Sequence, residues 1–187
     1  CYVADFNTCM VTTEYVPCGG ASVWEYDTST VCPDVACDDV PVTTVGGTIL
    51  NDDYVVDAGE IMVVYANFLY EPFHISVDAH CACLELCHWY DIETSYDGGN
   101  VKVSADGGAT WQLITPADGY PGATNDWPMC IPNEPAFTGH PPFEFRRDCF
   151  DLSMYDGQDI IIGFFFGSDS SVTYPGWYIK WVKIGGP

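Results

Sequence analysis

Two stretches of the chain decide its fold: residues 88–114 read HWYDIETSYDGGNVKVSADGGATWQLI, and residues 151–184 read DLSMYDGQDIIIGFFFGSDSSVTYPGWYIKWVKI. In the first stretch, apolar and polar residues alternate over 101–105, and the turn sequence Asp-Gly-Gly at 106–108 then reverses the chain. Alternation that runs into such a turn is typical of a β-hairpin, which we expect to continue through 110–114. The second stretch predicts a buried strand, a loop and a closing strand.

These stretches carry an ordered set of short motifs. The motifs are Trp-Tyr at 89–90, Tyr-Asp-Gly-Gly at 96–99, Ser-x-Asp-Gly-Gly-x-Thr-Trp at 104–111, Asp-Leu-Ser-x-Tyr-x-Gly-Gln at 151–158, Gly-Ser-Asp at 167–169 and Gly-Trp-Tyr-Ile at 176–179. In this order and spacing they resemble the MAM-like β-sandwich module of secreted bacterial proteins, including immune inhibitor A proteases. The resemblance implies an all-β fold, an antiparallel two-sheet sandwich of jelly-roll-like type.

The resemblance continues more weakly towards the N-terminus. Trp24 and Glu25 resemble the pair at which many of these modules begin, and Gly-Thr-Ile-Leu at 47–50 resembles a motif that follows it. Residues 1–21 precede the pattern, and the Tyr, Val, Thr and Phe content of residues 1–16 predicts an extra strand. We therefore expect an N-terminal β-rich arm at 1–21 and one MAM-like β-sandwich domain at 22–187, long enough to bury a sizeable core.

The chain is strongly acidic. Its 187 residues include 27 Asp and Glu against 5 Lys and Arg, which gives a formal net charge of −22. A nucleic acid or an anionic membrane surface would be repelled, so cations are the natural partners. No apolar run approaches the roughly 18 to 20 residues that a membrane-spanning helix needs, and no membrane span is expected.

Ten cysteines in a β-rich chain favour an oxidising compartment, because cytosolic thiols are kept reduced. We therefore expect an extracellular protein, secreted or at the cell surface, that is held by at least four disulfide bonds. The cysteines are Cys1, Cys9, Cys18, Cys32, Cys37, Cys81, Cys83, Cys87, Cys130 and Cys149. Their connectivity does not follow from the sequence. The local closures that we favour are Cys32–Cys37 and Cys130–Cys149.

The stretch HCACLELCH at 80–88 holds three of these cysteines. Because it is predicted to be extended, Cys81, Cys83 and Cys87 share one sheet face, and each is expected to reach a neighbouring strand or the N-terminal segment. A haem or zinc site is the alternative, since Cys-x-x-x-Cys-His is one residue longer than a haem attachment motif. A strand would splay those groups and lacks the tight Cys-x-x-Cys turn of zinc sites, so disulfides are favoured.

Catalysis has little support in the sequence. It contains no Gly-x-Ser-x-Gly elbow, no His-Glu-x-x-His, no phosphate loop and no dinucleotide fingerprint. Pairs of carboxylates carry no information here, because 27 acids always offer some pair at a suitable separation. In the bacterial proteins that the chain resembles, the sandwich accompanies an enzyme, and we therefore expect a non-enzymatic role.

Calcium is the cofactor that the resemblance implies. Glu93 and Asp97 stand where the family's acidic pair lies at the end of a strand, and Asp91 shares the strand parity of Glu93. Carboxylate oxygens from adjacent loops suit a calcium ion of six to eight ligands. Many relatives read Gly-Trp-Tyr-Ile-Asp-Asp, whereas this chain has Lys180 and Trp181 in place of both acids. The alternative is that these acids are solvated or cap turns.

The strand at 160–166 is apolar on both faces, although a sandwich strand normally meets the core on one face only. Ile161 and Phe165 stand opposite the predicted core positions at 160, 162, 164 and 166. On the closing strand, strict alternation places Trp177, Ile179 and Trp181 on one side and Tyr178, Val182 and Ile184 on the other. Such strands need cover on both faces. It comes either from the Pro-rich connection or N-terminal strand of the same chain, or from a neighbouring subunit.

The second kind of cover predicts a structural subunit of an extracellular assembly. In this reading the N-terminal arm adds a strand to a neighbouring copy, so that a homo-oligomer or homopolymer such as a filament or surface appendage forms. The predicted self-assembly residues are Tyr2, Val3, Phe6, Met10, Val11, Ile161, Phe165 and Trp181.

Two other functions compete with the structural subunit. Aromatic residues in predicted loops, namely Tyr120, Trp127 and Tyr174, favour an adhesion module that binds a carbohydrate or a surface protein. The resemblance also allows an accessory domain of a larger secreted protease. A fold alone does not choose among these functions.

Overall fold

The computed structural model describes residues 2–4, 12–19, 24–27, 44–47, 59–66, 69–77, 82–128 and 130–185. Within these ranges the chain forms fourteen β-strands and one 3₁₀ turn, Ser153–Tyr155, and no α-helix. The strands are β1 Tyr2–Ala4, β2 Thr12–Pro17, β3 Trp24–Asp27, β4 Thr44–Gly47, β5 Gly59–Tyr65, β6 Phe73–His74, β7 Cys83–Asp91, β8 Gly98–Ser104, β9 Gln112–Leu113, β10 Gly122–Ala123, β11 Pro135–Ala136, β12 Arg146–Asp151, β13 Asp159–Gly167 and β14 Gly176–Gly185. The described part of the chain has no helix of the length and apolarity that crossing a membrane requires.

The strands form two main antiparallel sheets. The first sheet has the order β12-β7-β14-β4-β3, with β1 on the same edge of β14 as β4. The second has the order β2-β5-β13-β8-β9, and β6 pairs with the start of β13. Strands β10 and β11 form a separate two-stranded ribbon. The predicted all-β, antiparallel, two-sheet fold is confirmed, and so is the hairpin, since β8 pairs with β9.

The main core lies between the facing sides of the two sheets, as alternation of side chains along each strand requires. The first sheet supplies Leu84, Leu86, Tyr90, Phe150, Trp177, Ile179, Val182 and Ile184, and the second supplies Met62, Val64, Val101, Val103, Ile160, Ile162, Phe164 and Phe166. All of these are buried. The four alternate positions of β13 that the sequence assigned to the core therefore lie in it.

A glycine and a tryptophan from two different motifs meet in this core. A Cβ atom added to Gly99 would lie 2.1 Å from Cε3 of Trp177, well inside any contact distance. Only glycine leaves room for the fully buried indole ring at this point. The Tyr-Asp-Gly-Gly and Gly-Trp-Tyr-Ile motifs therefore complement each other across the two sheets.

The closing strand β14 contains a bulge that changes which face its side chains occupy. The pairing of β14 with β7 shifts register between Ile179 and Trp181, so Lys180 is the extra residue. After the bulge, Val182 and Ile184 return to the main core, on the side of Ile179. The strict alternation predicted for this strand was therefore wrong beyond residue 179. Trp181 joins Tyr178, Trp89, Phe145 and Cys87 in a second cluster on the outer face of the first sheet.

The outer face of the second sheet is covered by the chain itself. Ile161 and Phe165 are 3% and 5% exposed, and they pack with Ile131 and Ala136 of the Pro-rich connection. The ring of Trp111 lies 5.3 Å from that of Phe165. Trp181, on the other outer face, is 3% exposed. The cover is intramolecular, which is the alternative to a neighbouring subunit.

The N-terminal segment provides two strands where the sequence predicted one. Strand β1 pairs with residues 182–184 of β14 in the first sheet, and β2 pairs with residues 60–65 of β5 in the second. Tyr2 and Val3 belong to β1, so their backbone pairs within the same chain. The other predicted arm residues, Phe6, Met10 and Val11, lie outside the described residues.

Disulfide bonds join distant parts of the chain. One links Cys18 to Cys130 and another links Cys83 to Cys149. Cys87 is also disulfide-bonded. The predicted Cys130–Cys149 pair was therefore wrong, because each of these residues has a partner much farther away in sequence. The remaining cysteines, which include the predicted Cys32–Cys37 pair, lie outside the described residues and are Cys1, Cys9, Cys32, Cys37 and Cys81.

Candidate functional site

Three carboxylates meet at one end of the sandwich. Glu93, Asp97 and Asp169 each place one carboxylate oxygen so that all three oxygens lie within 4.8 Å of one another. Two ligands on opposite sides of a calcium ion would be separated by about that distance, since calcium–oxygen bonds are about 2.3 to 2.6 Å long. The group contains only oxygen donors, which hard cations prefer.

The first two acids lie on the turn that carries the chain from the first sheet to the second. Strand β7 ends at Asp91, β8 begins at Gly98, and the amide of Asp97 donates to the carbonyl of Glu93 at 3.1 Å. The hydroxyl of Thr138 lies 2.8 Å from the carbonyl oxygen of Asp97 and accepts a hydrogen bond from the Ser95 amide at 2.8 Å. These bonds hold the backbone of the turn that carries both acids.

The third acid comes from the loop that follows β13. The amide of Asp169 donates to Oδ1 of Asp97 at 2.9 Å, and the Asp169 carboxylate in turn accepts a hydrogen bond from the Ser171 amide at 2.9 Å. A cavity of about 20 Å³ adjoins the cluster, and Asp97, Ser168 and Asp169 line it. This volume is close to that needed for a single water-sized particle.

The cluster carries negative charge that its protein neighbours do not balance. Asp97 is only 6% exposed. Burial raises its pKa to about 7, the hydrogen bond from the Asp169 amide opposes that rise, and the charges of Asp169 and Glu93 add to it. Burial and the charge of Asp169 also raise the pKa of Glu93, with His140 acting against them. Oε2 of Glu93 is buried without a hydrogen-bond partner. A bound cation would relieve all of these conditions.

Asp91, the third predicted ligand, lines the adjoining cavity but is not one of the three clustered acids. Its Oδ1 lies 2.6 Å from Nδ1 of His140, and the ring of Tyr174 lies 4.4 Å from that of His140. Sequence reasoning therefore brought together Glu93 and Asp97 but missed Asp169. The signal for Asp169 was present in the Gly-Ser-Asp motif at the end of β13.

Lys180 and Trp181, which stand where many of the modules that the sequence resembles have two acids, lie on the outer face of the first sheet. Nζ of Lys180 lies 5.6 Å from the centre of the Phe145 ring, and Trp181 packs in the same outer cluster. The β-bulge at residue 180 turns both side chains away from the main core.

A second polar group, far more enclosed, lies within the first sheet. The indole N–H of Trp177 donates to Nδ1 of His88 at 2.8 Å, so the proton of the imidazole is on Nε2 and points to Oδ2 of Asp148 at 2.7 Å. Arg146 donates to both carboxylate oxygens of Asp148, at 2.7 and 2.8 Å. The side chains of His88 and Asp148 are 0% and 1% exposed. No substrate can reach this His–Asp pair, so it is structural.

The three aromatic residues considered for ligand binding have different surroundings. Tyr120 is half-buried; its hydroxyl donates to the carbonyl of Ile114 at 2.9 Å and accepts from the amide of Val101 at 3.0 Å. It therefore holds the β8–β9 hairpin and does not face a ligand. Trp127 and Tyr174 are 67% and 36% exposed.

Comparison with known proteins gives one informative similarity. No family model matches the chain. Among curated proteins, the chain is 27% identical over 183 residues to bacillopeptidase F of Bacillus subtilis (strain 168). The match covers 98% of this chain but 10% of bacillopeptidase F. The chain thus resembles a small part of a protein whose name describes a peptidase.

Proposed function

We propose that the chain is a non-catalytic, extracellular accessory domain with a MAM-like sandwich, carried by a larger protein and stabilised by calcium. The accessory role is supported by the unequal coverage of the similarity to bacillopeptidase F, which includes almost all of this chain but only 10% of that protein. The described residues have a hydrophobic core of their own, as a separate domain does. Disulfide bonds such as Cys83–Cys149 support the extracellular location.

The calcium ion is assigned to Glu93, Asp97 and Asp169, whose oxygens lie within 4.8 Å of one another. Because the first two acids lie on the turn between the sheets and the third follows β13, an ion there would tie three chain segments together. It would also stabilise Asp97 and Glu93 as carboxylates, whose pKa values are raised without it. The expected role of the ion is to fix this end of the domain.

Thermal unfolding with and without calcium tests the ion site. Calcium at tenfold to hundredfold excess over its Kd should raise the Tm by roughly 3 to 10 °C for a chain of this size. Asp169→Asn should remove the response, whereas Asp91→Asn, which changes an acid outside the cluster, should keep it. A wild-type Tm that does not change with calcium, or an equal response in Asp169→Asn, would contradict the site.

The accessory role is tested separately by incubating the purified chain with a fluorescently labelled protein substrate. No peptide release above the buffer control is expected, with or without calcium. Proteolysis that co-elutes with the chain through successive columns would overturn the non-catalytic role and leave the calcium site standing.

A further inference from the structure

A groove of about 380 Å³ lies on the second sheet, away from the acidic cluster. Tyr65 at the end of β5 and Tyr70 in the following connection line it, together with Pro72. Asp106 of the β8–β9 turn and Asp159 at the start of β13 line it as well. The groove is of the size that small ligands or single side chains occupy.

The two tyrosines make a corner. Their ring centres are 5.2 Å apart and the ring planes meet at 78°, so the walls of the groove are nearly perpendicular. Tyr70 is 55% exposed and has a left-handed backbone with φ of 58°. That backbone conformation is uncommon for a bulky residue. Here it accompanies an aromatic ring held at the surface. A flat sugar ring stacks best on a flat platform, whereas two perpendicular aromatic faces suit a compact cation.

The negative charge of the groove also favours a cation. Glu14, Asp106 and Asp159 contribute carboxylates, and none of the described residues that line the groove is basic. Oε2 of Glu14 accepts a hydrogen bond from the Tyr65 hydroxyl at 3.1 Å, which places negative charge directly at the aromatic corner. Asp106 is bonded to Ser104 and Thr110, and these hydrogen bonds lower its pKa to about 2, so it stays ionised.

One basic group stands close to the groove. Nδ1 of His74 lies 2.7 Å from Oδ1 of Asp159, and both side chains are 64% exposed. His74 therefore faces Asp159 and not Glu14, whose carboxylate lies at the aromatic corner.

We propose that this groove binds an alkylammonium group, specifically the side chain of a lysine in a peptide partner. The ammonium lies against the corner formed by Tyr65 and Tyr70, where the ring faces attract it, and Glu14 supplies the opposite charge. The methylene stem of the lysine covers Pro72 and the apolar floor at Ile161. The site is independent of the calcium cluster and of the domain's place in a larger protein.

Titration of the full chain with Nα-acetyl-lysine methylamide at pH 8, followed by NMR of the tyrosine rings, tests the proposal. The norleucine analogue, which has the same stem without the charge, is the matched ligand control. The lysine compound should shift the signals of Tyr65 and Tyr70, and the norleucine compound should bind at least threefold more weakly. Added salt should weaken the lysine complex further.

Substitutions test whether the lysine compound binds in this groove. Tyr70→Asn tolerates the left-handed backbone but lacks the ring, and should weaken lysine binding about threefold to tenfold. Tyr70→Phe keeps the ring and should retain binding, and Glu14→Gln should weaken it. Trp127→Ala, another exposed aromatic that does not line the groove, should have no effect. Equal binding of lysine and norleucine, no binding of either, or a disaccharide that shifts the two tyrosines when lysine does not would each overturn the proposal.

Discussion

The His88–Asp148 group and the acidic cluster differ in charge balance. The His88–Asp148 group is closed: each carboxylate oxygen of Asp148 has a donor, and Arg146 supplies one positive charge for one negative. The acidic cluster is open, since Asp97 is as enclosed as a core residue but its charged neighbours, Glu93 and Asp169, have the same sign.

This difference in charge balance shifts the pKa values of the two buried aspartates in opposite directions. Burial would raise the pKa of Asp148, but hydrogen bonds from His88 and Arg146 outweigh that effect and hold the pKa below its usual value. Burial raises the pKa of Asp97 to about 7, and like charges add to the rise. Removing one partner of a buried ion pair leaves the other charge uncompensated, whereas a buried carboxylate among like charges would be stabilised by a cation.

The largest effect should come from breaking the closed group. Asp148→Ala leaves Arg146 and the His88 N–H without their partner and should lower the free energy of unfolding by about 3 to 5 kcal/mol. Chemical denaturation should give the same loss in calcium and in EDTA. A loss that calcium reverses would mean that the two groups are not independent.

A substitution in the acidic cluster should change the free energy of unfolding by a smaller amount, and the sign of the change should depend on calcium. Because the pKa of Asp97 is raised in the folded chain, the free energy of unfolding falls as pH rises from about 4 through 7. Ionised Asp97 therefore destabilises the calcium-free chain at pH 8. Asp97→Asn should therefore stabilise the chain in EDTA by roughly 1 to 2 kcal/mol and be less stable than wild type in saturating calcium. The same sign in both buffers would contradict a cation site.

The pH dependence of His88 sharpens the contrast. Burial lowers the pKa of His88 in the folded chain, and the hydrogen bond and charge of Asp148 only partly oppose it. Above about pH 6.5 both states hold neutral histidine, but below it only the unfolded state takes up the proton, so stability falls by at most about 1.4 kcal/mol per pH unit. The difference in unfolding free energy between wild type and His88→Gln, measured from pH 7 to 5, should shrink with acidification. A constant difference would contradict this assignment.

The smallest effect is expected at the exposed pair beside the cluster. Asp91 and His140 are joined at 2.6 Å, but their side chains are 29% and 44% exposed. Asp91→Asn should change the unfolding free energy by less than about 1 kcal/mol. Isothermal titration calorimetry should find its calcium affinity within a few-fold of wild type. A complete loss of calcium binding would place Asp91 among the ligands after all.

Most of the fold could be predicted from local patterns in the sequence. Alternation at 101–105 with an Asp-Gly-Gly turn was enough for the β8–β9 hairpin, because register and turn are set by neighbouring residues. The bulge at Lys180 was not visible, since an extra residue in a strand depends on the pairing with β7 and not on composition. The partner of Cys130 was missed for a similar reason: Cys18 is 112 residues away, and only the folded chain brings them together.

Two of the three acids in the cluster were predicted. Glu93 and Asp97 lie on one turn, so a short stretch of sequence contains both. Asp169 follows a different strand, and the adjacency of β8 and β13 is what brings it to the site. With so many acids in the chain, nothing in the sequence marked it apart from the Gly-Ser-Asp motif.

A crystal structure of the chain grown in millimolar calcium would show whether the acidic cluster binds an ion. We expect an ion with oxygen ligands from Glu93, Asp97 and Asp169 at about 2.3 to 2.6 Å, with the Asp148 group unchanged. A cluster that holds only water under those conditions, or a calcium ion bound elsewhere in the chain, would contradict it.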